Sequence, residues 1–244
     1  MAHLVDLHAH FLPALDDGAE DLETCLSMLR ALSELGFSEV SATPHQYTGL
    51  FLPPLDDIRS AFSHVSREIA TAIPDLRLHL GAENFWDELF AERRSRNEIP
   101  SYDDGKAFLF EINVMAMPPT LESCLFDLRV AGRIPVMAHP ERYEALQRDF
   151  DLAERLSRQA AFLVDLAALS GKGRRAEVKA ARRLLEAGLA HAVASDMHGL
   201  DDARAIAEGV TWVKKRLGEP ALTQLLDENP RRILLGQFPE ALTP

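Results

Sequence analysis

Two histidines one residue apart close the first apolar run of the chain, in Asp6-Leu7-His8-Ala9-His10. Alternate side chains of an extended strand share a face, so His8 and His10 can turn both imidazoles toward one cation. Asp17, seven residues beyond His10 in the turn Asp16-Asp17-Gly18, brings a carboxylate to the same neighbourhood. Such a triplet is weak evidence alone, because an isolated buried His or Glu more often satisfies a hydrogen bond or an ion pair. The other apolar runs repeat the pattern. Their ends carry His45 in Ala42-Thr43-Pro44-His45, Glu83 in Gly81-Ala82-Glu83, Glu111 in Phe110-Glu111-Ile112, His139 in Ala138-His139-Pro140-Glu141-Arg142, and Asp196 and His198 in Ala194-Ser195-Asp196-Met197-His198. Only the run ending around Asp165–Ser170 offers no obvious ligand. Strands ordinarily shun acidic residues, so acids gathered at strand ends need a reason.

Cations supply one. Four carboxylates, Asp17, Glu83, Glu111 and Asp196, would repel one another in a shared cleft unless positive charge lay between them. With five imidazoles they make nine ligands, too many for one ion that takes four to six, and enough for two or three bridged by carboxylates. Mixed nitrogen and oxygen donors without thiolate suit Mn, Zn or Fe. The remaining histidines, His3, His64, His79 and His191, fall on a helix surface or within strands and are read as structural.

The elements that must position these groups follow from hydrophobic periodicity. Short, mostly apolar runs at His3–Leu7, Ser38–Ala42, Leu76–Leu80, Ala107–Ile112, Ile134–Ala138, Ala161–Leu166 and Leu189–Ala194 read as strands covered on both faces. Helical spacing recurs between and after them, in Leu22–Leu35 (with Gly36 as its stop), Leu55–Ala72, Leu121–Ala131, Leu152–Gln159, Ala176–Ala187, Asp202–Leu217 and Pro220–Asp227. Strand-then-helix repeats imply parallel strands, and seven of them suggest a distorted or incomplete barrel, with an open doubly wound sheet as the rival. In either fold the ligands gather at the carboxyl ends of the strands.

At 244 residues the chain is read as a single domain, 1–244, large enough to hold together without metals or disulfides, so any metals serve chemistry. Its net charge of −12 argues against nucleic-acid or anionic-membrane binding. Cys25 and Cys124 lie in amphipathic helices and suggest a reducing compartment. The residues Met1–His10 read as neither a signal peptide nor an anchor, and no run is long enough to span a membrane, so a cytoplasmic location is expected. The outer faces of Ser123–Arg133 and Ala203–Leu217 show no decisive apolar patch to indicate an oligomer.

Taken in order, Asp6-Leu7-His8-Ala9-His10, Leu12-Pro13, Asp16-Asp17-Gly18-Ala19, Ala42-Thr43-Pro44-His45, Gly81-Ala82-Glu83, Phe110-Glu111, Ala138-His139-Pro140-Glu141-Arg142-Tyr143 and Ala194-Ser195-Asp196-Met197-His198 resemble the motifs of the PHP (polymerase and histidinol phosphatase) superfamily. Within it the chain looks most like the manganese-dependent protein-tyrosine phosphatases of capsular and exopolysaccharide loci, the CpsB/CapC family. That resemblance spans nearly the whole chain and implies an α/β fold, a distorted (β/α)7 barrel of PHP type, with a trinuclear Mn2+ centre that Fe or Zn can also occupy. It assigns the metal to His8, His10, Asp17, His45, Glu83, Glu111, His139, Asp196 and His198. Catalysis falls to Arg142 and Asp17, and substrate phosphate to Arg142. The partner it implies is a phosphotyrosine protein, an autophosphorylating tyrosine kinase of polysaccharide export.

The chemistry expected of such a centre is in-line attack on phosphorus by a metal-bridging hydroxide. A cysteine mechanism is disfavoured, because Cys25 and Cys124 precede Arg30 and Arg129 at Cys-x4-Arg spacing on helices, not the Cys-x5-Arg of a phosphate loop. Two departures bear on substrate. Gln46 stands where the family often has a basic residue, and the second substrate-binding arginine, expected five residues past the last histidine, has its nearest counterpart in Arg204, six past His198. The alternatives are a phosphatase of small phosphomonoesters such as histidinol phosphate or nucleotides, a metal-dependent amidohydrolase, and a non-catalytic metal-binding regulator.

Overall fold

The computed structural model describes residues 3–242, and the outermost residues of the expected domain 1–244 lie outside that range. Its strands and helices run β1 (Leu4–Ala9), α1 (Leu22–Glu34), β2 (Phe37–Ala42), β3 (His45–Gln46), α2 (Leu55–Ala72), β4 (Arg77–Leu80), β5 (Glu83–Phe85), α3 (Glu88–Arg96), β6 (Ala107–Glu111), α4 (Leu121–Val130) and β7 (Ile134–Ala138). They continue through α5 (Glu144–Arg148), α6 (Phe150–Ser157), β8 (Ala161–Asp165), α7 (Leu166–Ser170), α8 (Arg175–Glu186), β9 (Ala192–Ala194), α9 (Ala203–Leu217), α10 (Glu219–Thr223) and α11 (Asn229–Leu234). All strand pairs are parallel, in the orders β1-β2-β4 and β3-β5-β6-β7-β8-β9, which bears out the α/β reading.

The two sheets are halves of one interrupted arrangement. Pro44, which has no N–H to give a ladder, separates β2 from β3, and Gly81-Ala82 separates β4 from β5. Hydrogen bonds from Gly81 N to Ala42 O (2.8 Å) and Glu83 N to Pro44 O (3.1 Å) carry the pairing across the break. A side chain at Gly81 would press on the Tyr102 ring, its Cβ only 3.0 Å from a ring carbon. At the other edge, residues just past β9 meet β1 through the Ala9–Met197 bridge and the bonds His10 N to Met197 O and Asp196 N to His8 O, both 2.9 Å. The seven expected strand runs are therefore all present, with two of them bent at their carboxyl ends.

Side chains alternate as a doubly covered sheet requires. Ala107, Leu109, Ile134, Val136, Ala138, Ala161, Leu163, Ala192 and Ala194 form one small-residue cluster with Val5, Leu7, Tyr102 and Ile233. Phe108, Phe110, Met137, Phe162, Val164 and Val193 point the other way into the larger core that carries the helices.

Helix α3 has no counterpart among the expected helices, because Phe90 is its one buried residue and it shows little apolar periodicity. It is held at its ends, by the Asp87 side chain accepting from Phe90 N (2.9 Å), by Arg93, Arg94 and Arg96 in the last turn, and by left-handed Asn97. Leu166 starts α7 rather than ending a strand. Leu189 belongs to the C-terminal cap of α8, its N–H bonded to Leu184 O at 2.9 Å, so β9 is shorter than the apolar run Leu189–Ala194. On α4, Phe126 and Val130, one turn apart, both lie exposed. Among the described residues no helix is long and apolar enough to cross a membrane.

α9 packs on α7 through Gly209, where a Cβ would lie 2.1 Å from Leu166 O. Gly209→Ala should therefore separate the two helices and destabilise the fold by about 1–3 kcal/mol, the usual range for overpacking, as measured by urea unfolding. An unchanged midpoint would show that the helix pair is not closely seated.

Candidate metal centre

All nine residues marked at the strand ends come together. His8 and His10 leave the end of β1, His45 begins β3, Glu83 begins β5, and Glu111 ends β6. His139 follows β7, Asp196 and His198 follow β9, and Asp17 hangs from the turn after β1. Their side-chain atoms fall into four overlapping groups within which every donor lies inside 4.8 Å of the others: His10, Asp17, His45 and His198; His8, Glu83 and His139; His8, His10 and Asp196; and His45, Glu83 and Glu111.

The contacts within these groups are those of ligands sharing a centre. His8 Nε2 lies 3.3 Å from Glu83 Oε1 and 3.1 Å from Asp196 Oδ1. His10 Nε2 lies 3.5 Å from Glu83 Oε2, and His45 Nδ1 2.9 Å from the same oxygen. Asp17 Oδ1 stands 3.4 Å from His45 Nε2 and 3.5 Å from His198 Nε2. Yet His8 Nε2, His10 Nε2 and His45 Nδ1, all buried, make no hydrogen bond of acceptable geometry. Buried polar atoms are seldom left so. Donors held about 2.1 Å from one ion stand roughly 3.0–3.4 Å apart with lone pairs aimed at the ion instead of at each other. The donor set and its orphaned nitrogens thus fit divalent cations.

The charges are strongly coupled. Burial opposes ionisation of Glu83, but His8, His139 and His45 hold its carboxyl well below the usual range. Burial likewise opposes protonation of His8, and the Glu83 and Asp196 carboxylates override it, lifting the imidazole to about 10. For His45, Glu111 and Glu83 overcome burial and raise it to about 11. Asp196 is held well below its ordinary value against burial, by Arg142 and then His8. Glu111 is raised by burial and by Glu83. Without cations, protons on the imidazoles do the neutralising.

Residues outside the nine aim them. The Asp16 carboxylate bonds His10 Nδ1 (2.8 Å) and accepts from Gly18 N (3.0 Å) and His45 N (3.1 Å), so it positions what Asp17 joins. Gly18 allows that turn, since a Cβ there would lie 1.8 Å from His10 O. The Thr43 hydroxyl is bonded to His8 Nδ1 at 2.6 Å, leaving Nε2 to face the centre. Buried Asp6 accepts from His8 N (3.2 Å) and Ser195 N (3.0 Å) and ties β1 to the last ligand loop. His139 and Asp196 themselves adopt left-handed backbone, with φ of 34° and 47°. Such residues store about 1–3 kcal/mol each, held in place by their surroundings.

Arg142 lies beside the nine, its Nη2 donating to Asp165 Oδ2 at 3.0 Å and to Asp196 Oδ2. Burial would weaken its charge, but Asp196 and Asp165 raise its pKa well above the ordinary value. A cleft of about 370 Å³ opens there, walled by Arg142, Asp165, Asp196, His198, Lys172 and Asp202 among others. Asp165 and Lys172 were not marked by sequence, although Asp165 does end an apolar run. Arg204 is not brought to the cleft, for its exposed side chain on α9 donates to Glu208 one turn on (2.9 Å). Gln46 is buried and structural, its amide bonded to Pro53 O (3.0 Å) and to Arg93 (2.8 Å). Cys25 is fully buried with its thiol pushed up to about 12, Cys124 is half-buried, and Arg129 stacks over Phe238 at 4.0 Å, so neither Cys-x4-Arg pair forms a phosphate loop.

Residues 4–235 match the family described as capsular polysaccharide synthesis, CpsB/CapC. The tyrosine-protein phosphatase YwqE of Bacillus subtilis is 30% identical over 242 residues, which cover 96% of this chain and 92% of that protein. The tyrosine-protein phosphatase CpsB of Streptococcus pneumoniae is 29% identical over 243 residues, covering 96% and 100%. A crystal structure from work on YwqE and CpsB as unique metal-dependent tyrosine phosphatases superposes with a TM-score of 0.86 at 28% identity, over 99% of this chain and 100% of that one. A phosphotriesterase homology protein from Escherichia coli shares the fold alone, with a TM-score of 0.58 at 11% identity over 96% of this chain and 99% of that one.

The raised His8 and His45 values give a pH signature. A group whose folded pKa exceeds its ordinary value contributes stability below the ordinary value and loses it as pH climbs through the folded one. Chelated protein should therefore melt at progressively lower temperature between about pH 6.5 and 10. Added Mn2+ should lift the melting temperature by more at pH 9 than at pH 6, because cations displace those protons. Calorimetric scans that find the lift independent of pH would contradict this assignment.

Proposed function

The chain belongs to the CpsB/CapC family, and from that premise and the geometry of its centre we propose that it is a metal-dependent phosphatase of phosphotyrosine in proteins. One observation carries the reading: nine imidazole and carboxylate groups, their ligand atoms clustered in overlapping sets, lie against a cleft whose wall holds an arginine fixed by two carboxylates. His8, His10, Asp17, His45, Glu83, Glu111, His139, Asp196 and His198 would hold the cations. Their overlap suits a trinuclear centre, with Mn2+ resident and Fe or Zn accepted. Bound there, divalent cations supply Lewis acidity and bring the pKa of water toward neutrality.

Every other part of the task falls to the chain itself. Arg142 is held at one nitrogen by Asp165 and Asp196, which leaves its other N–H groups for phosphate oxygens in the cleft. A planar, pre-oriented guanidinium stabilises charge as it develops on phosphorus without reorganising. Asp17, half-exposed at the mouth of the centre, orients the attacking water. A tyrosine phenol with an ordinary pKa of about 10 departs without strong acid assistance. No thiol takes part. The protein partner we propose is an autophosphorylating tyrosine kinase of polysaccharide export, met in the cytoplasm.

Mn2+-loaded protein should release phosphate from a phosphotyrosyl peptide, lose that activity on chelation and regain it when metal is restored. Arg142→Lys should lower kcat/KM by about 10²-fold, the usual cost of one displaced charge-stabilising donor, while Cys124→Ser and Cys25→Ala stay active. Turnover confined to histidinol phosphate or nucleotides would overturn the tyrosine assignment, and no phosphoester turnover at all would overturn the enzyme.

A further inference from the structure

Beyond Arg142 the cleft has a second cation that neither the motifs nor the metal ligands account for. Lys172 lies in Ser170-Gly171-Lys172-Gly173 between α7 and α8, and it lines the same cleft as Arg142, Asp196 and His198. The loop is shaped to hold it. Gly171 and Gly173 on either side take left-handed backbone, with φ of 107° and 115°. The Lys172 N–H donates to Ala167 O (3.1 Å) and the Ser170 hydroxyl (3.3 Å), and Arg182 of α8 clamps Leu169 O at 2.9 Å. Its ammonium is paired with Asp202 and is drawn as well by Asp165, the carboxylate that fixes Arg142.

The pairing is one that a substrate can take over at little cost. Asp202 also accepts from His198 N (2.9 Å) and Gly199 N (3.2 Å) at Oδ2, so its carboxylate keeps two donors if the lysine swings away from Oδ1. The Lys172 side chain is 52% exposed, and exposed lysine–carboxylate pairs contribute little net stability. Arg174, two residues on, is paired with Glu177, so Lys172 and Arg142 are the cations that line this cleft among its carboxylates.

We propose that Lys172 is the outer cation of the substrate cleft, leaving Asp202 to bind an oxyanion of the substrate. This rests on the phosphatase reading. The oxyanion is either the phosphoryl group itself or an acidic side chain next to the phosphotyrosine. Lys172 then acts in binding, apart from the metals.

The test compares wild type, Lys172→Met and Lys172→Arg, all Mn2+-loaded, on phenyl phosphate and on phosphotyrosyl peptides with and without flanking glutamates. Lys172→Met should raise KM about tenfold, the scale of one charge-assisted hydrogen bond, with kcat within about twofold and metal content unchanged, and Lys172→Arg should restore most of the loss. A rise on phenyl phosphate identifies the phosphoryl oxyanion, and a rise only on glutamate-flanked peptides identifies the acidic neighbour. Unchanged KM on every substrate overturns the proposal. So does a joint fall in kcat and bound metal, which would place Lys172 behind the His198 loop as a structural prop. Calorimetric titration with inorganic phosphate and with the glutamate-flanked peptide separates the two readings. Should wild type turn over nothing, the phosphatase assignment fails, and weaker anion binding by Lys172→Met would still support Lys172.

Discussion

Glu83 is fully buried and stands between 2.8 and 3.5 Å from four imidazoles, those of His8, His10, His45 and His139. A carboxylate so placed is tolerable only while positive charge surrounds it, because burying an uncompensated ion costs several kcal/mol. The same demand is made by Asp196 and, more weakly, by Glu111. Protons on His8 and His45 can meet it, and divalent cations can meet it by taking the place of those protons at the imidazole nitrogens. The centre is thus a concentration of negative charge that the fold maintains and that divalent cations would complete.

The scaffold holds that charge by irregularity at the strand ends. Pro44 and Gly81-Ala82 bend two strands so that His45 and Glu83 pair side by side in β3 and β5. His139 and Asp196 leave their strands in left-handed backbone, which turns each side chain abruptly out of the sheet's alternation. Asp6, Asp16 and Thr43 then hold the chain with hydrogen bonds to β1 and its neighbours. Regular, small-residue packing of Ala107, Val136, Ala161 and Ala192 below leaves these distortions at one end.

Cation placement follows from the same electrostatics. Arg142 sits against Asp165 and Asp196, where it offsets negative charge and still presents donors to the cleft. In the same cleft Lys172 is tethered more loosely, by a single carboxylate in partly exposed surroundings. Away from the cleft, a separate network of His79 with Glu39 and Asp103, and of Glu39 with Arg231, shows the structural use of such groups, each charge answered by another side chain. At the nine groups, by contrast, carboxylates crowd together beside buried imidazole nitrogens that have no hydrogen-bond partner.

The gathering of the nine groups, the parallel α/β class and the helical setting of both cysteines were legible from sequence, because strand ends and helical periodicity are local properties that residue order records. His79 and His191 were rightly set aside on the same grounds, the one bonded to two carboxylates and the other to Phe162 N. Where local order carried no signal, the tertiary structure decided. α3 is held by its caps and not by an apolar stripe, and α7 is apolar because it is buried between neighbours. Arg204, chosen by its distance along the chain, faces solvent because helix phase, not count, sets direction. Asp165 reaches the cleft from the end of β8 and Lys172 from the loop between α7 and α8, whose course depends on packing far along the chain. Sequence determined which chemistry the chain could carry, since ligand type is a property of each residue. Only the folded chain decided which charges remain unpaired and which cations face them, since that depends on contacts between residues far apart in order.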